Sequence, residues 1–145
     1  MLNKKLNIAL VGLGFGGAFV GIYHDHPDVA SVKVYDPDES KCRYMIENNL
    51  ADGVYSSFEE ILNDPDCDAV HLVTPIPLHA EQTIAVLNAG KHCACTVPMA
   101  TSVDDLYRIA EAKHRSGKNY MMMETTLDSK NIYKKCGRQS KHKPN

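Results

Sequence analysis

The sequence has no excess of charge of either sign: 16 lysines and arginines against 18 aspartates and glutamates leave a formal net charge of −2. So near neutrality there is no electrostatic footprint for nucleic acid or an anionic membrane surface, and neither is expected as a partner. There is no C-x-x-C pair among the five cysteines (Cys42, Cys67, Cys93, Cys95, Cys136), and their number is odd. That excludes the common zinc spacing and a complete disulfide framework, and reads as a reduced cytoplasmic protein with incidental thiols. His24 and His26 stand two apart, a spacing that does not face one site on a helix, so no metal is expected. No uncharged apolar run reaches the roughly 20 residues of a membrane-spanning helix. Lys4 and Lys5 precede an apolar stretch, as in a signal peptide. Glycines interrupt that stretch, however, and no small-x-small cleavage site comes before His24.

The most informative stretch is Ile8-Ala-Leu-Val-Gly-Leu-Gly-Phe-Gly-Gly-Ala18, an apolar run that ends in glycines and turns into a helical pattern. Gly12, Gly14 and Gly17 fit G-x-G-x-x-G, with Phe15 and Gly16 inside the motif. The first glycine permits a tight strand-to-helix turn and the second lets backbone approach a pyrophosphate. The third is expected to let the helix pack closely on the strand. Free N–H groups at the helix start then face the phosphates, aided by the helix dipole.

The chain in order alternates strand and helix. Strands are expected at Leu6–Val11, Val32–Asp36, around Val54–Tyr55, Ala69–Thr74, His92–Thr96 and Asn119–Met123. Between them, helices are expected at Phe15–Tyr23, Glu39–Asn49, Ser57 (capping box with Glu60) through Leu62, Leu78–Ala89, and Ser102–Ser116. Gly90 and Gly117 are the stops of the last two. Val103, Leu106, Ile109 and Ala110 are read as one buried face of the last helix, and Met121–Met123 as core or partner contact. Cys93 and Cys95 alternate onto one sheet face and are expected to be buried. Six strands joined by helices through short loops specify an α/β fold, a doubly wound parallel sheet of Rossmann type with strand order 3-2-1-4-5-6. Its ligand belongs at the carboxyl ends of the strands, beside the glycine loop. Asp36 follows Gly17 by 19 residues, where an acid accepts bonds from the adenine ribose hydroxyls and repels a 2′-phosphate. With Asp38 and Glu39 adding negative charge, NAD is favoured over NADP.

From the fourth strand onward, Val70-His-Leu-Val-Thr-Pro-Ile-Pro-Leu-His79, Ala85-Val-Leu-Asn-Ala-Gly-Lys-His92 and Thr96-Val-Pro-Met-Ala100 closely resemble the glucose–fructose oxidoreductase/inositol dehydrogenase (Gfo/Idh/MocA) family. That family reads A-T-P…H, A-L-x-A-G-K-H-V and E-K-P-x-A at these places. The resemblance covers residues 6 to about 127. It implies an oxidoreductase with an N-terminal NAD(P) domain and a C-terminal domain for a sugar, polyol or related substrate. Thr74 and Pro75 match the loop along the cofactor, and His79 matches the family histidine near it. Thr96 could bond nicotinamide or a substrate hydroxyl.

Two departures accompany the matches. The family's E-K is replaced by Thr96-Val97, and valine has no ionisable group with which to move a proton. Glu124, at the end of the last strand, is the topological candidate for a replacement. The chain also stops soon after the sixth strand, so 1–127 is expected as the cofactor domain and 128–145 as a poorly ordered basic tail. Residues 1–127 carry 10 basic and 17 acidic side chains, whereas 128–145 carry 6 basic and 1 acidic. The leading expectation is a cofactor domain cut short of its substrate domain and not competent alone. An enzyme completed by another subunit, and a non-catalytic dimerisation or regulatory module, are the alternatives. A homodimer is expected through surface that a second domain would cover.

Overall fold

In the computed structural model, residues 4–124 are described. The chain runs β1 (Leu6–Val11), α1 (Gly17–His24), β2 (Val29–Tyr35), α2 (Glu39–Glu47), β3 (Gly53–Val54) and α3 (Phe58–Asn63). It continues through β4 (Ala69–Leu72), a 3-10 turn (Ile76–Leu78), α4 (His79–Asn88), β5 (His92–Thr96), α5 (Val103–Ser116) and β6 (Tyr120–Met123). The six strands form one sheet in the order β3-β2-β1-β4-β5-β6, every pair parallel. The architecture and strand order are those expected from the alternation of elements. The segment 128–145 and Cys136 lie outside the described residues.

β1 is central because it is apolar on both faces. Val11 is in register with Tyr35 on one side and Leu72 on the other. Ala9 and Val11 point into a core with Ile61, Val70, Val86 and Leu87, under α3, α4 and α5. Leu10 points to the opposite core, with Phe19, Val20, Val32, Val34 and Met45, under α1 and α2. Alternation across a pleat thus supplies both layers from one strand, as a parallel sheet covered on both faces requires.

Local chemistry sets the helix boundaries. Ser57 Oγ accepts from Glu60 N at 3.1 Å, and Ser102 Oγ accepts from Asp105 N at 3.1 Å. The expected capping box at Ser57 is displaced by one residue on its return arm: the Glu60 carboxylate accepts from Ser56 N and Ser56 Oγ, at 2.6 and 2.7 Å. α4 stops at Gly90, whose φ of +74° suits a residue without Cβ. α1 starts at Gly17 rather than Phe15, because Leu13–Gly16 is spent on the turn out of β1.

One packing expectation is corrected. Of the residues assigned to one buried face of α5, Val103 is 65% exposed and Leu106 and Ala110 are also exposed. The helix is buried through Ile109 and Ala112, a stripe turned toward α4. In the methionine run only Met123 is buried, while Met121 and Met122 are more than half exposed. β6 is the sheet edge, and the core under α1 and α2 contains no residue of β5 or β6.

On that same sheet face His71 is buried, with Nδ1 3.0 Å from the Tyr23 hydroxyl and Nε2 without a hydrogen-bond partner among the described residues. Burial lowers its pKa to about 4. Cys93 and Cys95 are buried on the other face as expected, and burial pushes their thiols up to about 12 and about 11. Thiols held so far from ionisation are inert at neutral pH.

Candidate functional site

The glycine loop joins β1 to α1 at the carboxyl edge of the sheet. Gly12 has φ +92°, and a Cβ there would collide with the Val73 carbonyl, so the turn out of β1 needs glycine twice over. At Gly14 a Cβ would meet no protein atom within 4 Å; this glycine faces open space. The close packing expected of the third motif glycine is done instead by Gly16. A Cβ there would lie 3.1 Å from Leu10 Cδ2 on β1 and 3.0 Å from Val73 Cβ, and would strike the Gly12 carbonyl. Gly17 packs against α2, its Cβ position lying 2.7 Å from Met45 Cε. Among the described residues, the N–H groups of Gly14, Phe15 and Gly16 have no hydrogen-bond partner. Three free donors at a helix start, beside a space that only a side chain or ligand could fill, form a cradle that fits a pyrophosphate.

Asp36 stands one residue past β2. Its Oδ2 accepts from Leu13 N at 2.7 Å and its Oδ1 from Asp38 N at 2.9 Å. The carboxylate thus ties the glycine loop to the end of β2, and its remaining lone pairs are available to hydroxyls. Lys41 Nζ lies 3.4 Å from Asp36 Oδ1 and 3.5 Å from Oδ2, a cation beside the acid that sequence reading passed over. α2 begins at Asp38, whose side chain caps Ser40 N at 3.0 Å. Bonds from the Ser40 hydroxyl and N–H hold the Asp38 carboxyl below the usual range.

These groups border a cleft of about 540 Å³ between the ends of β1, β2 and β4. Gly12, Gly14, Asp36, Thr74 and Pro75 meet there, as expected of residues flanking the point where strand order reverses. Phe58, Leu78 and Gln82 also line it; no sequence signal marked them as site residues, because their approach to the cleft depends on tertiary packing. Thr74 Oγ1 and Gln82 Oε1 are 2.6 Å apart. Phe15, 61% exposed, and Gly17 border an adjoining hollow of about 740 Å³ on the α2 side of the loop.

The other candidates lie elsewhere. Gly16, His79 and Thr96 are buried and do not line the cleft. His79 is 1% exposed, with both ring nitrogens 2.7 Å from backbone carbonyl oxygens, of Pro98 and Thr74. Thr96 Oγ1 donates to the Leu72 carbonyl at 3.4 Å. Glu124 is exposed just after β6, two strands from β4 in the sheet. No group of three or more metal-ligating side chains occurs among the described residues, and no described helix is long and apolar enough to cross a membrane.

A parallel sheet that reverses its order beside a glycine loop, with an acid at the end of β2, defines a dinucleotide-binding Rossmann domain. The chain belongs to the Gfo/Idh/MocA oxidoreductase family, whose NAD-binding Rossmann fold matches residues 6–124. Over 79 residues it is 39% identical to a 1,5-anhydro-D-fructose reductase of Ensifer adhaerens, covering 54% of this chain and 23% of that protein. An uncharacterised oxidoreductase of Synechocystis is 30% identical over 115 residues, covering 77% of this chain and 31% of the relative. Among solved structures, an NAD-binding protein from Listeria innocua is 31% identical with a TM-score of 0.75, over 82% of this chain and 34% of that one. An apo scyllo-inositol dehydrogenase from Lactobacillus casei shares the fold, at 21% identity and TM-score 0.79, over 97% of this chain and 43% of that one. The chain therefore spans less than half the length of each of these proteins.

Proposed function

We infer that the protein binds NAD in the cleft between β1, β2 and β4, as the cofactor module of an oxidoreductase acting on a sugar, polyol or related substrate. The supporting observation is the open position of Gly14 beside the unpartnered N–H groups of Gly14, Phe15 and Gly16. Pyrophosphate sits on the loop, the adenine ribose on Asp36, and the chain of the cofactor passes Thr74 and Pro75. When bound, NAD supplies a hydride acceptor. The residues at hand orient it, and none of those lining the cleft is placed to move a substrate proton.

Thr96 and Val97 stand where the family carries glutamate and lysine, so the chain described by this sequence binds cofactor without turning over substrate alone. Asp36 favours NAD over NADP by its charge. The sheet edge at β6, with Met121 and Met122 exposed beside it, supports a homodimer in which a second copy covers that edge. Four buried free thiols (Cys42, Cys67, Cys93, Cys95) are in keeping with a cytoplasmic location.

Calorimetric titration with NAD tests the reading: saturable heat at millimolar cofactor or below is expected, and its absence at several millimolar overturns it. Steady NADH formation by the purified chain with inositols, glucose or other polyols would overturn the claim of no turnover. A one-chain mass by light scattering at tens of micromolar would overturn the dimer.

A further inference from the structure

His79 opens α4, and its ring lies between two loops that belong to different crossovers. Its Nε2 is 2.7 Å from the carbonyl oxygen of Thr74, in the loop that follows β4. Its Nδ1 is 2.7 Å from the carbonyl oxygen of Pro98, in the loop that follows β5. Carbonyl oxygens only accept, so the ring bonds each loop through a nitrogen that faces its carbonyl. The ring is 1% exposed, so it touches no ligand in the cleft, and water cannot replace either bond.

We propose that His79 is a positioning residue, a strut that holds the β4 and β5 loops together at the nicotinamide end of the site. The inference rests on the cofactor reading above. Gly14 and Asp36 place the adenosine and pyrophosphate half over β1 and β2, so the other half extends across the reversal point toward β4 and β5. Among the described residues the loops there have few other hydrogen bonds. Val97 N donates to the Met123 carbonyl at 3.2 Å, and Thr96 Oγ1 reaches the Leu72 carbonyl only at 3.4 Å. Both hold the β5 side to its neighbouring strands, and neither spans from one loop to the other. The Thr74 side chain is turned to Gln82, leaving its backbone carbonyl to His79. Breaking the strut therefore loosens the nicotinamide end and leaves the glycine loop, tied through Asp36, in place.

The test compares NAD with ADP-ribose, which lacks only the nicotinamide, on the full chain and on His79→Gln and His79→Ala. In the parent protein NAD binds more tightly than ADP-ribose. In His79→Gln, which keeps one donor, the Kd for ADP-ribose stays within about 2-fold and the Kd for NAD rises about 5-fold; in His79→Ala the NAD loss is larger. Equal losses for both ligands, no loss for either, or a parent protein that prefers ADP-ribose would overturn the strut. A long-range ¹H–¹⁵N spectrum of the parent protein near pH 7, with the ring assigned by its disappearance in His79→Gln, decides independently of cofactor. A ring N–H that exchanges slowly with water supports the proposal, and one in rapid exchange overturns it. If the parent binds neither ligand, the cofactor reading fails and this spectrum alone judges the strut. If His79→Gln does not fold, the spectrum is assigned through the ring's contacts to residues 74 and 98 and decides in the same way.

Discussion

Replacing Gly14 with alanine separates folding from binding, because the structure gives the two effects opposite signs. The new methyl would meet no protein atom within 4 Å, and the backbone there lies outside the left-handed region that strains an L residue. Gly→Ala at such a position restricts the unfolded chain and stabilises by about 0.4–1 kcal/mol. For a domain of this size that is a rise in Tm of roughly 2–5 °C. The same methyl occupies the space in front of the loop N–H groups, where the pyrophosphate oxygens sit in the proposed complex. Losing one hydrogen bond to a charged group costs about 1.5–3 kcal/mol, a factor of roughly 10 to 150 in Kd. Thermal melts and calorimetry on parent and Gly14→Ala read both quantities, with NAD as ligand. A variant that melts no lower than the parent and binds NAD equally well would show that Gly14 does not front the phosphates. Gly16→Ala is the control: its methyl meets Leu10, Val73 and the Gly12 carbonyl, so it lowers Tm by several degrees.

Lys41 beside Asp36 sets how strongly a 2′-phosphate is rejected; Lys41→Met is expected to weaken NADP binding at least 5-fold while changing NAD binding less than 2-fold, by competition titration at fixed ionic strength. Equal effects on both would remove Lys41 from cofactor choice. His71 is held neutral by burial, its pKa lowered from 6.5 to about 4. The unfolded chain therefore takes up a proton first as pH falls, and the associated stability is whole above pH 6.5 and lost toward pH 4. That amounts to about 2 kcal/mol between pH 7.5 and pH 5. Urea unfolding of the parent against His71→Leu should show this difference in slope, and identical pH dependence in both would refute it. Ser102→Ala removes the cap of α5 and should cost about 1 kcal/mol in the same assay, with NAD affinity unchanged.

Part of the candidate site was legible because its signals are local. A glycine at a tight turn and an acid at a strand end each do their work within a few residues, so Gly12 and Asp36 were marked before any fold was known, while Thr74 and Pro75 came with the family resemblance. Lys41, Phe58 and Gln82 carry no such mark. They line the cleft only because α2, α3 and α4 start at its rim. Gly16 and Gly17 exchanged the role expected of the third motif glycine for a steric reason: the helix turns so that Gly16 faces β1 and Gly17 faces α2. The α5 stripe misled because Val103, Leu106 and Ala110 match a helical period, yet the side of the helix that meets α4 carries Ile109 and Ala112.

By itself the sequence determined the alternation of strands and helices, the parallel sheet of order 3-2-1-4-5-6 and the glycine loop, since periodicity and backbone sterics act at short range. The departure at Thr96 and Val97 was also readable in one dimension, because a missing ionisable group needs no geometry to be noticed. Only the tertiary structure decided what His79 and Asp36 do. His79 is buried, and its bonds run to carbonyls 5 and 19 residues away, while Asp36 grips the loop 23 residues before it. A side chain's partners across such separations are set by how the strands stack and where the crossovers return, and no spacing along the chain encodes that.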